Sequence, residues 1–183
     1  MSIEAELGSV AIVPPDERWS RLFAAERRRL ESLRTLIDIE HFGSTAVPGL
    51  AAKPVIDIMA SVAQLATLDQ VEQDLASLGY RLLDVGFAKR RFYRNQDVAP
   101  GITANLHVVT VDRWRDKGER VFRDWLIKHP ETAHRYALLK RNLATRFPED
   151  PEAYTAAKTE FIREVVNLAR QDRGLPPEID WSE

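Results

Sequence analysis

The sequence predicts a mixed α/β (α+β) protein, with a β-sheet in the first two thirds of the chain and helices behind it. Three observations lead there. Short apolar or alternating runs of strand length recur up to residue 111, with helix-patterned segments between them. From Arg113 onward, apolar residues recur only at helical spacing. The 183 residues are 44% hydrophobic and 30% charged, which suits a globular chain with a core and excludes a disordered one. No repeat or low-complexity linker interrupts the pattern. Residues 1–175 therefore read as one domain and 176–183 as a tail.

Taken in order, "SVAIVPP" (9–15) is a β-rich run stopped by two prolines. A helix over 16–36 follows, with Trp19, Leu22, Phe23, Leu30 and Leu33 on one face and Asp16 and Glu17 in its first turn. "IDIEHF" (37–42) alternates as a strand, and "KPVIDIMASV" (53–62) is dense enough to be a central one. A helix over 67–80 carries a capping-box pattern at Thr67 and Gln70, an apolar face of Val71, Leu75 and Leu78, and a stop at Gly79. Three strand runs come next: 80–85, 88–95 and 102–111. Three helices close the chain. Val121, Phe122 and Trp125 mark the first, and Tyr136, Leu139 and Leu143 the second. The third has Asp150 as N-cap, Pro151 at its first position, and Tyr154, Phe161 and Val165 inside.

Composition excludes several function classes. With 26 Lys and Arg against 28 Asp and Glu, the formal charge of -2 gives no global pull toward nucleic acid or a membrane surface. The absence of cysteine excludes disulfides, thiolate catalysis and Cys-based zinc sites. No signal-like amino end and no run of eighteen apolar residues is present, so the cytoplasm is the expected location.

The chemistry concentrates in "HFGSTAVPGLAAKPVIDI" (41–58). Gly43 after a strand permits a tight turn and close backbone approach. Exposed N–H groups there, with the Ser44 and Thr45 hydroxyls and Lys53 nearby, make a phosphate cradle; a plain loop with Ser44 capping a short helix is the competing reading. Neither a P-loop nor a G-x-G-x-x-G fingerprint is present. Asp57 alternates with Ile56 and Ile58, so its carboxylate leaves the apolar face and needs a partner, which a lysine, His107 or a metal would provide. A structural ion pair is the plainer alternative.

Twelve residues, 45 to 56, separate Gly43-Ser44 from Asp57. This resembles the signature of the nucleotidyltransferase superfamily that includes polymerase β, in which a Gly-Ser or Gly-Gly turn precedes a strand bearing D-x-D or D-x-E. The resemblance implies that Gly43 and Ser44 hold phosphates while strand carboxylates hold Mg²⁺ or another divalent metal. This chain departs from it at position 59, where Met59 replaces the second carboxylate, and a thioether is a poor magnesium ligand. "NLHVVTV" offers His107 as the remaining partner for Asp57, so these two are the candidate catalytic and metal residues.

A longer motif, H-x-G-S-T-[AS]-V-x-G-L-x-A-K-P-x-x-D, with "NLHVV", "FRDWL" and "Y…LK", is similar to the GrpB family. The similarity runs from "VAIVPPDERWSRLF" to "AYTAAKTEFI". It implies a nucleotidyltransferase-like fold and a relation to the domain fused behind dephospho-CoA kinase in some bacteria. The implied ligand is a nucleotide or other phosphorylated small molecule at Gly43, Ser44, Thr45, Lys53 and Arg91. Met59 leaves a second possibility open: a binding or accessory module without transfer chemistry, for example one linked to coenzyme A metabolism.

Other groups are weaker candidates. "AKRRFYRN" interleaves basic and aromatic residues as nucleic-acid surfaces do, yet it also suits a guarded edge strand, and the net charge favours one arginine, Arg91, reaching an anionic ligand. A triad of Ser44, His107 and Asp57 lacks the G-x-S-x-G elbow. His41 reads as a structural residue. Arg123 is either a pocket residue or a solvated one. Tyr136 with Lys140, and Tyr154 with Lys158, repeat a Tyr-x-x-x-Lys spacing that places each pair on one helix face.

Overall fold

The computed structural model describes residues 9–114 and 118–177. Helix α1 (Arg18–Leu30) leads into β1 (Ile39–Phe42), a 3-10 turn (Ser44–Ala46) and β2 (Val55–Val62). A second 3-10 segment (Leu65–Gln70), α2 (Glu72–Ser77), β3 (Arg81–Leu82), β4 (Arg91–Ala99) and β5 (Ile102–Thr110) follow. The helices α3 (Val111–Trp114), α4 (Gly118–Lys128), α5 (Pro130–Arg146), α6 (Pro151–Ala156) and α7 (Thr159–Asp172) complete it. The sheet runs β1-β2-β5-β4-β3, with β2 and β5 parallel and the other pairs antiparallel. None of the described helices is long and apolar enough to cross a membrane.

The alternation in β2 and β5 divides the molecule. Ile56, Ile58, Ala60, Ala104, Leu106 and Val108 face α1, α2 and the second 3-10 segment in a core completed by Trp19, Leu30, Leu75, Tyr80 and Tyr93. Residues one step out of phase occupy the opposite face. The register places Phe42, Asp57, Asn105 and Arg94 side by side across four strands, and Glu40, Met59, His107 and Phe92 in the next row. The C-terminal helices build a second core from Val121, Phe122, Leu126, Tyr136, Val165 and Val166, which takes in Val47 and Leu50 of the loop after β1.

Several elements differ from the sequence expectation. The 9–15 run is not a strand: Val13 makes a single bridge with Ala52, and Pro14 and Pro15 cannot donate to a ladder. Helix α1 starts after Asp16, whose carboxylate accepts the Arg18 N–H at 2.8 Å, and it ends at Leu30. No capping box forms at Thr67, whose hydroxyl donates to the Gln64 carbonyl at 2.6 Å instead, and the 67–80 segment splits into a 3-10 piece and a short helix. The last helix divides at Lys158, where the N–H bonds the Thr155 carbonyl three residues back in a tighter turn. Its start is as expected: the Asp150 carboxylate accepts the Ala153 N–H at 2.8 Å, with Pro151 next. Of the tail, 178–183 lies outside the described residues.

Candidate functional site

Gly43 ends β1 at φ 70°, ψ -170°, a conformation essentially restricted to glycine. The position allows no side chain either: a Cβ there would run into Asp57 Oδ2 and lie 3.0 Å from its Cβ and Cγ. The bare backbone thus lets the 44–46 turn close over the carboxylate. The isoleucine alternation that predicted a partnered Asp57 is explained by the neighbouring strands. Asn105 Nδ2 donates to Asp57 Oδ1 at 3.1 Å, and Arg94 Nη1 donates to Asn105 Oδ1 at 3.2 Å. This polar row crosses β2, β5 and β4 at one level of the sheet.

The other wall comes from the helices. Lys140 of α5 is 2% exposed, and its Nζ donates to Ser44 Oγ at 2.9 Å and to the Ala51 carbonyl at 2.6 Å. It also lies 4.8 Å above the Tyr136 ring. Lys158, at the α6–α7 break, sits 4.1 Å over the Tyr154 ring. Together with Lys53, Asp57 and Asn105 these lysines line a cavity of about 150 Å³ at the seam between sheet and helices.

Burial dominates the electrostatics of this cavity. It pushes the Asp57 carboxyl up to about 6, against the Asn105 hydrogen bond and the charges of Lys53, Lys158 and Arg94. It pushes Lys140 down to about 7, assisted by Lys158 and Arg141. Lys158 falls to about 8 by burial and the charge of Lys53, and Lys53 is lowered chiefly by burial. One carboxylate therefore faces several cationic groups that lack enough anionic partners.

Gly43, Ser44, Thr45, Lys53 and Asp57 are brought together; Arg91 and His107 are not. Thr45 is committed to holding the loop: its hydroxyl donates to the Val55 carbonyl at 2.9 Å and lies 3.0 Å from His41 Nε2. Because that hydroxyl proton is used, Nε2 of His41 must carry a proton and donate it. Burial and the charge of Arg123 push its pKa down to about 4, and the ring stacks on Phe23. Arg91 lies on the other sheet face, half exposed and 3.6 Å from Asp69, and the β4 arginine in the row of Asp57 and Asn105 is Arg94, three residues on. His107 sits one row from Asp57, opposite Met59 and packed between Phe42 and Phe92. Arg123 bonds Glu40 and the His41 carbonyl, joining α4 to β1.

These residues do not fit a divalent metal. No three acidic or histidine side chains converge among the described residues. Asn105 turns its amide N–H toward Asp57, and its oxygen is taken by Arg94. Met59 is fully buried in a cluster with Phe42, Val109 and Trp114. The lysines around this lone carboxylate repel a metal cation, and one carboxylate offers too few hard oxygen ligands to hold it.

The five-stranded mixed sheet flanked by helices is a nucleotidyltransferase-like fold. The match to a cytoplasmic RNA terminal U-transferase structure supports that fold, at TM-score 0.50 and 14% identity over 79% of this chain and 44% of that one. The GrpB protein family matches residues 9–168, and the chain belongs to that family. It is 34% identical to the glutamate-rich protein GrpB of Alkalihalophilus pseudofirmus over 168 residues, 87% of this chain and 95% of the relative. The crystal structure of the conserved protein GrpB from Enterococcus faecalis matches at TM-score 0.80 and 27% identity, over 90% of this chain and 99% of that one. A dephospho-CoA kinase of Mycolicibacterium paratuberculosis is 31% identical over 192 residues, 87% of this chain, and this chain spans less than half (46%) of it.

Proposed function

We propose that the chain binds a small phosphorylated molecule with its phosphate in the Gly43-Ser44 cavity, without a divalent metal at Asp57. The observation that carries this reading is the cavity's charge: Lys53, Lys140 and Lys158 surround a single carboxylate, and burial lowers all three ammonium groups. A phosphate dianion supplies the missing negative charge and accepts their hydrogen bonds. The volume of about 150 Å³ suits the phosphate end of a ligand whose remainder lies at the mouth, since whole drug-sized ligands occupy roughly 300 Å³ or more. Nucleotides and coenzyme A precursors meet this description, and the similarity to part of a dephospho-CoA kinase makes the latter a first choice. Nucleic acid is disfavoured by the net charge of -2. Nucleotidyl transfer through a metal is the second reading; the fold favours it and the donor set opposes it.

The test is a thermal-shift and calorimetric screen of inorganic phosphate, nucleotides and coenzyme A precursors, each with and without Mg²⁺ or Mn²⁺. Phosphorylated ligands should raise Tm without metal, and Lys158→Met should remove the effect. Stabilisation that appears only with metal would overturn this reading in favour of the second.

A further inference from the structure

We propose that Ser44 is a nucleophile, with Lys140 as the base that takes its proton, in a phosphoryl-transfer step on a phosphoric anhydride held in the cavity. The proposal rests on the phosphate-cradle reading above and adds a covalent step to it. Its geometric basis is the contact of Lys140 Nζ with Ser44 Oγ at 2.9 Å, made by a lysine that is 2% exposed and fixed from the other side by the Ala51 carbonyl at 2.6 Å. A neutral amine keeps two N–H donors and one lone pair. It can donate to Ala51 while accepting the Ser44 proton, so the Lys140–Ser44 bond reverses direction when the ammonium loses its charge. Serine–lysine pairs activate serine in the absence of histidine, and His107 is packed between the Phe42 and Phe92 rings one row along the sheet.

The step balances without a metal or redox partner. The Ser44 Oγ–H bond breaks and the proton moves to Lys140 Nζ. A bond forms from Oγ to phosphorus, and the bond from phosphorus to the bridging oxygen breaks. The leaving carboxylate or phosphate departs with that electron pair as an anion and needs no proton. Lys53 and Lys158, which line the same cavity, neutralise the non-bridging phosphoryl oxygens. Lys140 then returns its proton to solvent.

The titratable and polar groups around Lys140 are Tyr136 and Arg141 on its own helix, Lys158 and Tyr154 from the α6–α7 region, Ser44 and Lys53 from the loop, and Asp57 from β2. Burial, Lys158 and Arg141 favour the neutral amine, bringing its titration to about 7, and Asp57 opposes them. Phosphorylation of Ser44 should therefore accelerate as pH rises through that value.

The experiment incubates the full chain with acetyl phosphate in the presence of a chelator and locates the product by peptide mass spectrometry. Wild type should gain a phosphoryl group on Ser44, at a rate that rises through about pH 7. Lys140→Arg, which keeps the charge but supplies no base, should slow this by about a hundredfold. A flat pH profile in wild type, or a Lys140→Arg variant labelled at the wild-type rate, would overturn the role of Lys140. Acetyl rather than phosphoryl transfer to Ser44 would overturn the reaction class. If Ser44 stays unlabelled while inorganic phosphate still raises Tm, the nucleophile fails and the cradle stands; absence of both responses removes both.

Discussion

Gly43 and the Asp57 carboxylate are in such close contact that no side chain fits between them. The turn needs a left-handed φ of 70°, and the space a Cβ would take belongs to Asp57 Oδ2. Gly43→Ala combines both penalties and should cost about 3 kcal/mol or more, read as a lower urea midpoint at unchanged m. Adding Asp57→Ala removes the collision with the carboxylate but leaves the 3.0 Å approach to the Cβ of residue 57 and the backbone strain. The double variant should be more stable than the sum of the two single losses predicts.

Glu40 holds α4 against β1 by accepting from Arg120 at 2.7 and 3.0 Å and from Arg123 at 2.9 Å. Burial alone would raise its carboxyl, but the two arginines outweigh it and leave it below the ordinary range. A depressed carboxyl contributes stability above its unfolded value and loses it as pH falls through the folded one. Glu40→Ala should destabilise by about 1–3 kcal/mol, flatten the acid limb of the stability profile, and leave phosphate affinity unchanged.

The cavity lysines give the opposite limb. Lys140 and Lys158 titrate near 7 and 8 when folded and near 10.5 when unfolded, so between these values the unfolded chain binds more protons and stability rises with pH. Asp57, raised from 3.8 to about 6, acts in reverse: its contribution is lost as pH climbs through that window. Tm should therefore recover from neutrality toward pH 10, before general alkaline unfolding. Lys140→Met should reduce that recovery, and saturating inorganic phosphate should reduce it too, by keeping the Lys158 ammonium group charged.

Met59 occupies the place of the missing carboxylate as a fully buried side chain against Phe42, Val109 and Trp114. Restoring the acid should not restore a metal site. Met59→Asp is expected to lower stability by about 3 kcal/mol or more, with no recovery on adding Mn²⁺ in a thermal-shift assay.

Gly43 and Asp57 were each legible in the sequence from local rules, a turn that favours glycine and a strand whose alternation expels one carboxylate from its apolar face, while their link came from a spacing that resembles the nucleotidyltransferase signature. The succession of strands along the chain was mostly legible from local pattern, while "SVAIVPP" misled because β-propensity carries no information about which neighbour completes a ladder. Arg91 and Arg94 fall on opposite faces by alternation alone, yet the β4–β5 register decides which face meets the cavity. Asn105 went unmarked for that reason, although it is in phase with His107. Lys140 and Lys158 were visible as a repeated Tyr-x-x-x-Lys spacing. Their burial was not, since a lysine on an amphipathic helix normally keeps its head in water and only the packing of α5 and α6 against the loop reverses that.

The most direct measurement is calorimetric titration of wild type and Asp57→Asn with inorganic phosphate and, separately, with Mn²⁺. Asparagine keeps an oxygen to accept the Asn105 N–H and removes one negative charge from a cationic cavity. The anion-site account predicts no Mn²⁺ binding by either protein and phosphate binding that is retained and tightened in the variant. Mn²⁺ binding by wild type that disappears in Asp57→Asn, or phosphate binding lost with the carboxylate, would contradict it.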